Sequence, residues 1–244
     1  MNANTDWLKK RMHDKIAIIL PVRDAGLERH ERLVRCLESY YEMTEGLSDI
    51  HLLHDEDECD TYHPIAEQYP EIINYCIPTG ITLMQKINIH AIEIASKYKY
   101  IGFIGDDIVF RTQFESSFIR YLSSVPYGLV FGNDFIWGKK KPTHPFITSN
   151  AVLAVGFFGC PAVSHNFFDD YWHLVFSNLT HIEYQRYVIM EHMHPIMKKA
   201  PIDSLAIKIS GSVGVDEPKF WDYIKNNLDK DLDKIEKFKY EVIQ

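Results

Sequence analysis

Apolar runs and amphipathic segments alternate along the first half of the chain. Residues 15–22 form a continuous apolar run closed by Pro21, as is typical of a strand buried on both faces. Leucine and tyrosine then recur at helical spacing, which predicts a helix over about 27–43 that Asp24 caps. The alternation continues with predicted strands over 50–54, 72–77 and 100–104 and predicted helices over 81–98 and around 114–122. It predicts right-handed crossovers and a largely parallel sheet.

The second half of the chain is less regular. Its predicted strands are 128–131 and 186–191, and its predicted helices start at Ser149 and within 165–172. A charged helix with one apolar side is predicted over about 216–239. Because there is no internal repeat or low-complexity linker, the sequence predicts a single mixed α/β domain.

Composition agrees with a folded soluble domain and limits its partners. Of the 244 residues, 46% are hydrophobic and 25% charged, and a chain of this length can bury a core without disulfides. The formal net charge of −8 argues against a nucleic-acid partner. The first residues lack an apolar core of signal-peptide length, and no stretch approaches the roughly 20 apolar residues that span a bilayer. We therefore expect a cytoplasmic protein.

Cysteine and histidine content bear on metal binding. The cysteines Cys36, Cys59, Cys76 and Cys160 are widely spaced and form no Cys-x-x-Cys pair of the kind found in zinc and redox sites. We predict reduced, mostly buried thiols. The 12 histidines equal the glycines in number, and several lie near acidic residues, as metal and acid–base sites require.

Two adjacent carboxylates at the end of a predicted strand give the strongest chemical signal. Asp106 and Asp107 follow Gly105, directly after the strand that ends at Ile104. Such carboxylates repel each other unless a cation or hydrogen bonds compensate, and Mg²⁺ or Mn²⁺ bridging to a diphosphate is one compensation. The alternative is a solvated turn in which one aspartate caps the next helix.

Two further groups can carry chemistry. If the segment around His192 and His194 is extended, both imidazoles face one side and can bind one metal ion, with Glu191 orienting a ring. The alternative is a loop with one packed and one exposed histidine. Asp169 and Asp170 open an aromatic segment, where an aspartate acts either as a general base or as a helix cap.

Two loops carry weaker signals. The acidic loop 55–58 follows the second predicted strand, and a carboxylate there can accept hydrogen bonds from a base or ribose, although acidic loops are usually solvated. The segment 138–147 is basic and can meet a donor phosphate or an anionic acceptor, although a solvated turn is the alternative.

Taken in order, these motifs resemble those of nucleotide-sugar glycosyltransferases of the GT-A fold, in particular the small glycosyltransferase-like proteins of phages and bacteria. The matching segments are Pro21-Val22-Arg23, Asp55 or Asp57, Gly105-Asp106-Asp107, Gly132-Asn133-Asp134, His165 to Trp172, and Glu191 to Pro195, with Lys199-Ala200 and Asp203 downstream. The resemblance spans about 15–205. It implies a single Rossmann-like GT-A domain over 1–210, with a nucleotide-binding half (about 15–110), an acceptor half (about 111–210) and a helical extension over 211–244.

The resemblance also implies a role for each matching residue. Asp107, and secondarily Asp106, would bind a divalent cation, Mn²⁺ or Mg²⁺, and His192 or His194 would complete its coordination. Asp169 would deprotonate the acceptor hydroxyl in an inverting reaction, with Asp170 as the second choice. The residues expected to hold the nucleotide are Pro21, Arg23, Asp55, Asp57, Lys86, Asp106 and Asp134.

The activity implied is metal-dependent transfer of a hexose from a UDP- or GDP-linked sugar to an acceptor hydroxyl. Ile108 stands where an Asp-x-Asp motif has its second carboxylate, so the metal would depend on one carboxylate plus histidine. Two alternatives stay open. A sugar-phosphate nucleotidyltransferase normally has a glycine-rich loop after the first strand, where this chain has only Gly26. A non-catalytic module that binds nucleotide sugars is the other.

The charged tail helix allows three interpretations. It can cover the acceptor site, form a homodimer contact or lie on a membrane surface. Its mixed charge favours a solvated face or the subunit contact.

Overall fold

Eight strands form one sheet at the centre of the fold. In chain order they are β1 (His13–Pro21), β2 (Ser48–Asp55), β3 (Ile73–Ile77), β4 (Tyr98–Phe103), β5 (Ile108–Phe110), β6 (Leu129–Asn133), β7 (Phe146–Thr148) and β8 (Ile182–His192). The helices are α1 (Leu27–Met43), α2 (Cys59–Gln68), α3 (Leu83–Ala95), α4 (Glu115–Ser124), α5 (Ser149–Val155), α6 (Phe168–Asn178) and α7 (Ser204–Val242). This computed structural model describes residues 13–24, 26–69, 71–197, 199 and 204–242. Ala200 and Asp203 of the predicted motifs lie outside these ranges.

The strands lie in the order β3-β2-β1-β4-β7-β6-β8-β5. Strands β1 to β4 are parallel to one another, and β8 is parallel to β6. The antiparallel pairs involve β7 with β4 and β6, and β5 with β8. The predicted α/β domain with one mostly parallel sheet flanked by helices is therefore confirmed.

An apolar core lies on each face of the sheet. Ala17 and Ile19 of β1 belong to one core, with α3, α5, α6 and part of α7, while Ile16 and Ile18 belong to the other, with α1 and α4. Successive side chains of a strand point to opposite faces. A strand buried on both sides therefore needs the continuous apolar run that predicted β1.

Several local predictions are corrected by the structure. Asp24 does not cap α1, because Gly26 is the N-cap residue and Asp24 instead accepts a hydrogen bond from the Gly26 amide at 2.9 Å. Asp169 and Asp170 lie in the first turn of α6, whose N-cap residue is Phe167. Helix α2 and strands β5 and β7 were not predicted from the sequence. Helix α7 begins at Ser204 rather than near Asp216.

Buried aspartates fasten the C-terminal helix α7 to the domain. Phe220 of α7 is fully buried in the core. The Asp216 carboxylate accepts hydrogen bonds from the backbone amides of residues 164–166 at 3.0–3.1 Å. Asp231 accepts one from the Tyr171 hydroxyl at 3.1 Å. Because a buried carboxylate is tolerated only when it is hydrogen-bonded, these contacts fix α7 against the segment that leads into α6. Among the helices that the structure describes, none is both long and apolar enough to cross a bilayer.

Candidate functional site

The carboxyl ends of β1, β2 and β4 meet at one edge of the sheet, where ligands bind in folds of this kind. Pro21 ends β1 and pairs with Leu53 of β2, so Arg23 emerges beside the end of β2. The guanidinium of Arg23 pairs with the Asp55 carboxylate. The predicted acidic residue after strand two and the predicted arginine are therefore direct neighbours.

Asp55 is a fully buried carboxylate held by two cations. Besides Arg23, it pairs with the ammonium group of Lys86 on α3. Burial, helped by the nearby Arg23 charge, lowers the pKa of Lys86 to about 8. Arg23 also approaches Glu58 at 3.8 Å, and its side chain is 45% exposed, so it is partly open to solvent at this edge of the sheet, which we call the cleft. Asp57 is exposed and accepts a hydrogen bond from Thr79 at 2.8 Å.

The first aspartate of the Gly-Asp-Asp motif is matched by an arginine that the sequence did not predict. One Arg29 nitrogen lies 2.8 Å from both carboxylate oxygens of Asp106. Burial raises the pKa of Asp106, against the opposing effect of the Arg29 charge. Arg29 lies in the first turn of α1, the helix that follows β1. A helix start after a parallel strand faces the carboxyl ends of the strands, so the position of Arg29 in the sequence could have indicated a contact with the motif.

The second aspartate of the motif contacts a histidine. Asp107 Oδ2 lies 3.1 Å from His192 Nε2. Burial alone would raise the pKa of Asp107, but the hydrogen bond and charge of His192 hold it well below its usual range. Burial alone would lower the pKa of His192, and Asp107 raises it instead. The two groups therefore form a buried ion pair.

Strand register brings this pair together. Strand β5 begins directly after Asp107 and runs antiparallel to β8, with Ile108 opposite His192. The Met193 amide donates to the Asp107 carbonyl at 2.8 Å. A Cβ atom on Gly105 would lie 2.7 Å from Asp107 Oδ1, so a larger residue here would displace the end of the Asp107 side chain.

A second glycine allows β8 to reach β5. Between β6 and β8 the register shifts, so that Gly132 pairs with Gln185 while Asn133 pairs with Ile189. At this bulge a Cβ atom on Gly132 would lie 2.7 Å from the Val188 carbonyl oxygen. Because backbone cannot yield as a flexible side chain does, only glycine fits there without a shift of β8.

Two more histidines complete the surroundings of Asp107. The His144 and His194 rings each lie 5.0 Å, centroid to centroid, from His192. Burial and the His192 charge lower the pKa of His144 to about 3. Both His144 ring nitrogens and Nδ1 of His192 are buried without a hydrogen-bond partner. The sequence missed His144 because it missed β7, whose antiparallel course begins at the edge where β4 ends.

The chemistry of these side chains suits the divalent cation that the resemblance implies, but their ligand atoms do not lie close enough together to share an ion without side-chain movement. A carboxylate with imidazoles suits Mn²⁺ as well as zinc. The ring nitrogens of His144 and Nδ1 of His192, which are buried without a hydrogen-bond partner, are available as metal ligands. Asp107, His192 and either His144 or His194 would hold the ion. Glu191 does not orient a histidine ring as expected, because it pairs with Lys199 at 2.6 Å and with Arg111 at 2.8 Å.

The predicted bases lie beside a lysine from the basic segment. Lys141 Nζ is 3.1 Å from Asp169 and 3.0 Å from Asp170. Burial raises the pKa of Asp169 to about 6, although Lys141 acts against it. The Asp169 charge contributes to the raised pKa of His192, so both residues lie within electrostatic reach. The basic segment thus supplies one partly buried lysine, while Lys139 and its neighbour Lys140 are exposed.

Asp134 holds the loop that carries Lys141 and His144. One carboxylate oxygen accepts three backbone amides, from residues 136–138, each at 2.9 Å, and the other accepts the Thr143 hydroxyl at 3.0 Å. These four hydrogen bonds keep the pKa of Asp134 below its usual value against the effect of burial. These contacts make Asp134 an anchor of the loop, and its predicted contact with the nucleotide stays a prediction.

The expectation of mostly buried thiols is right for two cysteines and wrong for the other two. Cys36 and Cys160 are buried, whereas Cys59 is half-buried and Cys76 is exposed. The last two lie side by side, with their sulfur atoms 2.7 Å apart.

Comparison with known proteins shows a likeness of fold. No family model matches the chain, and no curated protein matches it. The structure is similar to that of the mannosyltransferase PcManGT from Pyrobaculum calidifontis in complex with GDP-Man and Mn²⁺, with a TM-score of 0.54 and 9% identity over 96% of this chain and 78% of that one. It is also similar to S. aureus TarS 1–349 in complex with UDP, with a TM-score of 0.54 and 8% identity over 72% of this chain. The match spans 59% of that TarS chain. The chain therefore has the fold of a GT-A, Rossmann-like domain.

Proposed function

We propose that this protein is a metal-dependent glycosyltransferase that moves a sugar from a nucleoside diphosphate sugar to an acceptor hydroxyl. The observation that carries the proposal is the Asp107–His192 pair, with unpartnered imidazole nitrogens beside it and Asp169 within electrostatic reach. The UDP and GDP-Man bound in the similar structures support a UDP- or GDP-linked donor.

The donor would lie across the ends of β1, β2 and β4. Arg23, which is partly exposed, would contact the nucleotide, and Asp55 would keep Arg23 and Lys86 in place. Arg29 would hold Asp106 in place beside Asp107. A divalent cation bound there would neutralise the diphosphate and help it to depart.

Asp169 is the proposed general base. In an inverting reaction the acceptor oxygen attacks the anomeric carbon, its proton passes to a carboxylate oxygen of Asp169, and the bond to the diphosphate breaks with the electron pair leaving on the nucleotide. A carboxyl pKa of about 6 suits this task, because the group is mostly ionised at neutral pH and still basic. Lys141 would keep the carboxylate oriented.

The first test measures nucleotide release from a panel of UDP- and GDP-sugars with Mn²⁺ and a panel of sugar acceptors. We expect turnover by the unmodified protein and a roughly 1,000-fold loss in Asp107→Asn, since removal of one group that stabilises transition-state charge costs about 10²–10³. Asp229→Asn, an exposed aspartate on α7, is the matched control and keeps full turnover. Equal turnover in Asp107→Asn and the control contradicts the assignment of the metal ligand.

Two alternatives predict different outcomes in the same experiment. A sugar-phosphate nucleotidyltransferase releases pyrophosphate from a nucleoside triphosphate and a sugar phosphate, which the assay measures in a parallel arm. A binding module gives a calorimetric signal with UDP or GDP but no turnover with any donor. The homodimer through α7 stays a prediction, which sedimentation of the full chain tests.

A further inference from the structure

A second group of possible metal ligands lies outside the cleft, at the outer edge of the sheet. His54 is near the end of β2, Cys59 and His63 lie on α2, and Cys76 lies on β3, the edge strand. One ligand atom from each of these four side chains lies within 4.8 Å of all the others. Within the described ranges, this is the group of histidine, cysteine and acidic side chains close enough to share one ion. We call it the edge cluster.

The secondary structure explains why these residues meet. In the parallel pair of β2 and β3, His54 is the register partner of Cys76, so the two side chains lie on the same face of the sheet. On α2, Cys59 and His63 are four residues apart, and this spacing puts them on one face of a helix. Two ligands from the sheet therefore face two from the helix that covers it.

The distances approach those of a tetrahedral zinc site. Cys76 Sγ lies 3.9 Å from Nε2 of both His54 and His63, and 2.7 Å from Cys59 Sγ. Zinc bonds of about 2.3 Å to sulfur and about 2.0 Å to nitrogen require ligand atoms roughly 3.3–3.8 Å apart. Binding would draw the imidazoles in by a fraction of an ångström and separate the sulfurs by about 1 Å.

We propose that Cys59, Cys76, His54 and His63 bind one zinc ion. Two thiolates and two neutral imidazoles are the donor set of a structural zinc site, and soft sulfur ligands discriminate against Mg²⁺ and Ca²⁺. The two thiol protons are released to solvent on binding, and the two thiolate charges balance the dication. Cys76 and His63 are exposed, so the ion has a path of entry.

His54 is oriented for this role by its other ring nitrogen. Its Nδ1 lies 3.0 Å from the Asp55 carbonyl oxygen, and a proton on Nδ1 donated to that carbonyl leaves Nε2 with a lone pair toward the sulfurs. The Asn74 side-chain oxygen now lies 2.9 Å from Nε2 and has to turn away when the metal binds. The Asp55 backbone carbonyl would then be the outer partner of the site.

The proposed site is next to residues at the ends of β1 and β2. His54 immediately precedes Asp55, and Cys59 immediately follows Glu58, which accepts a hydrogen bond from the Asp24 amide at 3.1 Å. A zinc ion here would join α2 to β2 and β3 and fix the position of both carboxylates. The proposal rests on the edge cluster alone and does not depend on the proposed glycosyl transfer.

The experiment loads the full chain with zinc under reducing conditions, removes free metal by gel filtration and measures the zinc retained. We expect about one zinc per chain, and cobalt in its place gives the thiolate-to-cobalt charge-transfer absorption of a tetrahedral site. Cys76→Ser should weaken zinc binding by more than ~100-fold, beyond the 10–100-fold cost of losing an outer partner. His13→Gln, which removes an exposed histidine elsewhere, should retain the metal.

Two further measurements keep the outcome clear. Asp107→Asn should retain both zinc and the cobalt spectrum, which separates the edge cluster from the cleft whatever the activity assay finds. Zinc should also protect Cys59 and Cys76 of the unmodified protein from alkylation, read peptide by peptide by mass spectrometry, so no variant has to fold. Full-rate alkylation in the presence of zinc, or a Cys59–Cys76 disulfide in protein kept reduced with zinc, overturns the proposal.

Discussion

Two clusters of this molecule place histidine beside other possible metal ligands. The cleft cluster, Asp107 with His144, His192 and His194, is largely buried and combines imidazole with a carboxylate. The edge cluster combines imidazole with two thiols and is largely open to solvent. Hard oxygen ligands favour Mn²⁺ or Mg²⁺ and thiolates favour zinc, so the partners of each histidine, rather than the histidine itself, decide the chemistry.

A third group of histidines has no carboxylate or thiol in direct contact, and its chemistry differs accordingly. His51 and His90 contact each other at 2.9 Å between ring nitrogens, deep in the fold. Burial lowers the pKa of His51 to about 3 and that of His90 to about 4. Neither has the contact with a carboxylate that raises the pKa of His192. The side chains of these two histidines are therefore neutral and pack in the interior of the fold.

The largest expected effect comes from removing the carboxylate of the cleft cluster. Asp107→Asn should lower turnover by roughly 1,000-fold. It should also lower the pKa of His192, because the strongest of the effects that oppose burial, the hydrogen bond and charge of Asp107, is then removed. An NMR titration of the histidine ring protons measures this shift. An unchanged His192 pKa would show that the ion pair does not form in solution.

Asp169→Asn should have the next largest effect, a loss of roughly 100-fold in kcat, the lower end of what a general base contributes. Asp170 shares Lys141 with Asp169 and can replace part of its function. In the unmodified protein kcat/KM should rise with pH through about 6 as Asp169 loses its proton. A profile that is flat between pH 5 and 7 contradicts the role of Asp169 as base.

The same substitution should change how the stability of the protein depends on pH. The folded-state pKa of Asp169 is raised from 3.8 to about 6, so its contribution to stability is present below about 3.8 and is lost as pH rises through 6. Asparagine cannot ionise and does not lose this contribution. The melting temperature of Asp169→Asn relative to the unmodified protein should therefore be higher at pH 7.5 than at pH 4.5, by calorimetry at both values.

Zinc should affect stability more than activity. Ligand at 100 times its dissociation constant stabilises the folded state by about 2.7 kcal/mol. A chelator should therefore lower the melting temperature of the unmodified protein after loading with zinc, and leave that of Cys76→Ser, treated in the same way, unchanged. The comparison of the two clusters fails if the chelator acts equally on both proteins.

The smallest effects should come from the glycines that shape the cleft. Gly132→Ala forces the β8 backbone to move, at a cost of about 1–3 kcal/mol of stability, and displaces His192. Gly105→Ala meets only the end of the Asp107 side chain, so it should change stability less than Gly132→Ala while still reducing turnover. Chemical denaturation and the nucleotide-release assay measure the two quantities. A larger loss of stability in Gly105→Ala would contradict the geometry of the motif.

Prediction from sequence succeeded where an element has a strong period or a long apolar run. Helix α1 was predicted over 27–43 and has those bounds, and the strand predicted over 15–22 corresponds to β1. The three-residue strands β5 and β7 are too short to show alternation. Helix α2 was missed because it begins in an acidic segment and contains Pro64.

The candidate site was partly predictable for the same reason. Asp55, Asp106 and Asp107 stand at the ends of apolar runs, and the ends of parallel strands share one edge. Arg29 and His144 reach that edge through a helix start and an unrecognised strand. The spacing of His54, Cys59, His63 and Cys76 has no motif, because half of the edge cluster depends on the register of β2 with β3.

The sequence by itself determined the α/β alternation, the strands buried on both faces and the collection of carboxylates at their ends, since periodicity records which face of an element is apolar. Only the tertiary structure decided which charges are partners: Arg29 with Asp106, Lys86 with Asp55, and His192 with Asp107. Each of these pairs joins elements far apart in the chain. Strand register and helix placement fix them, and a local pattern of apolar and polar residues does not encode register between distant strands.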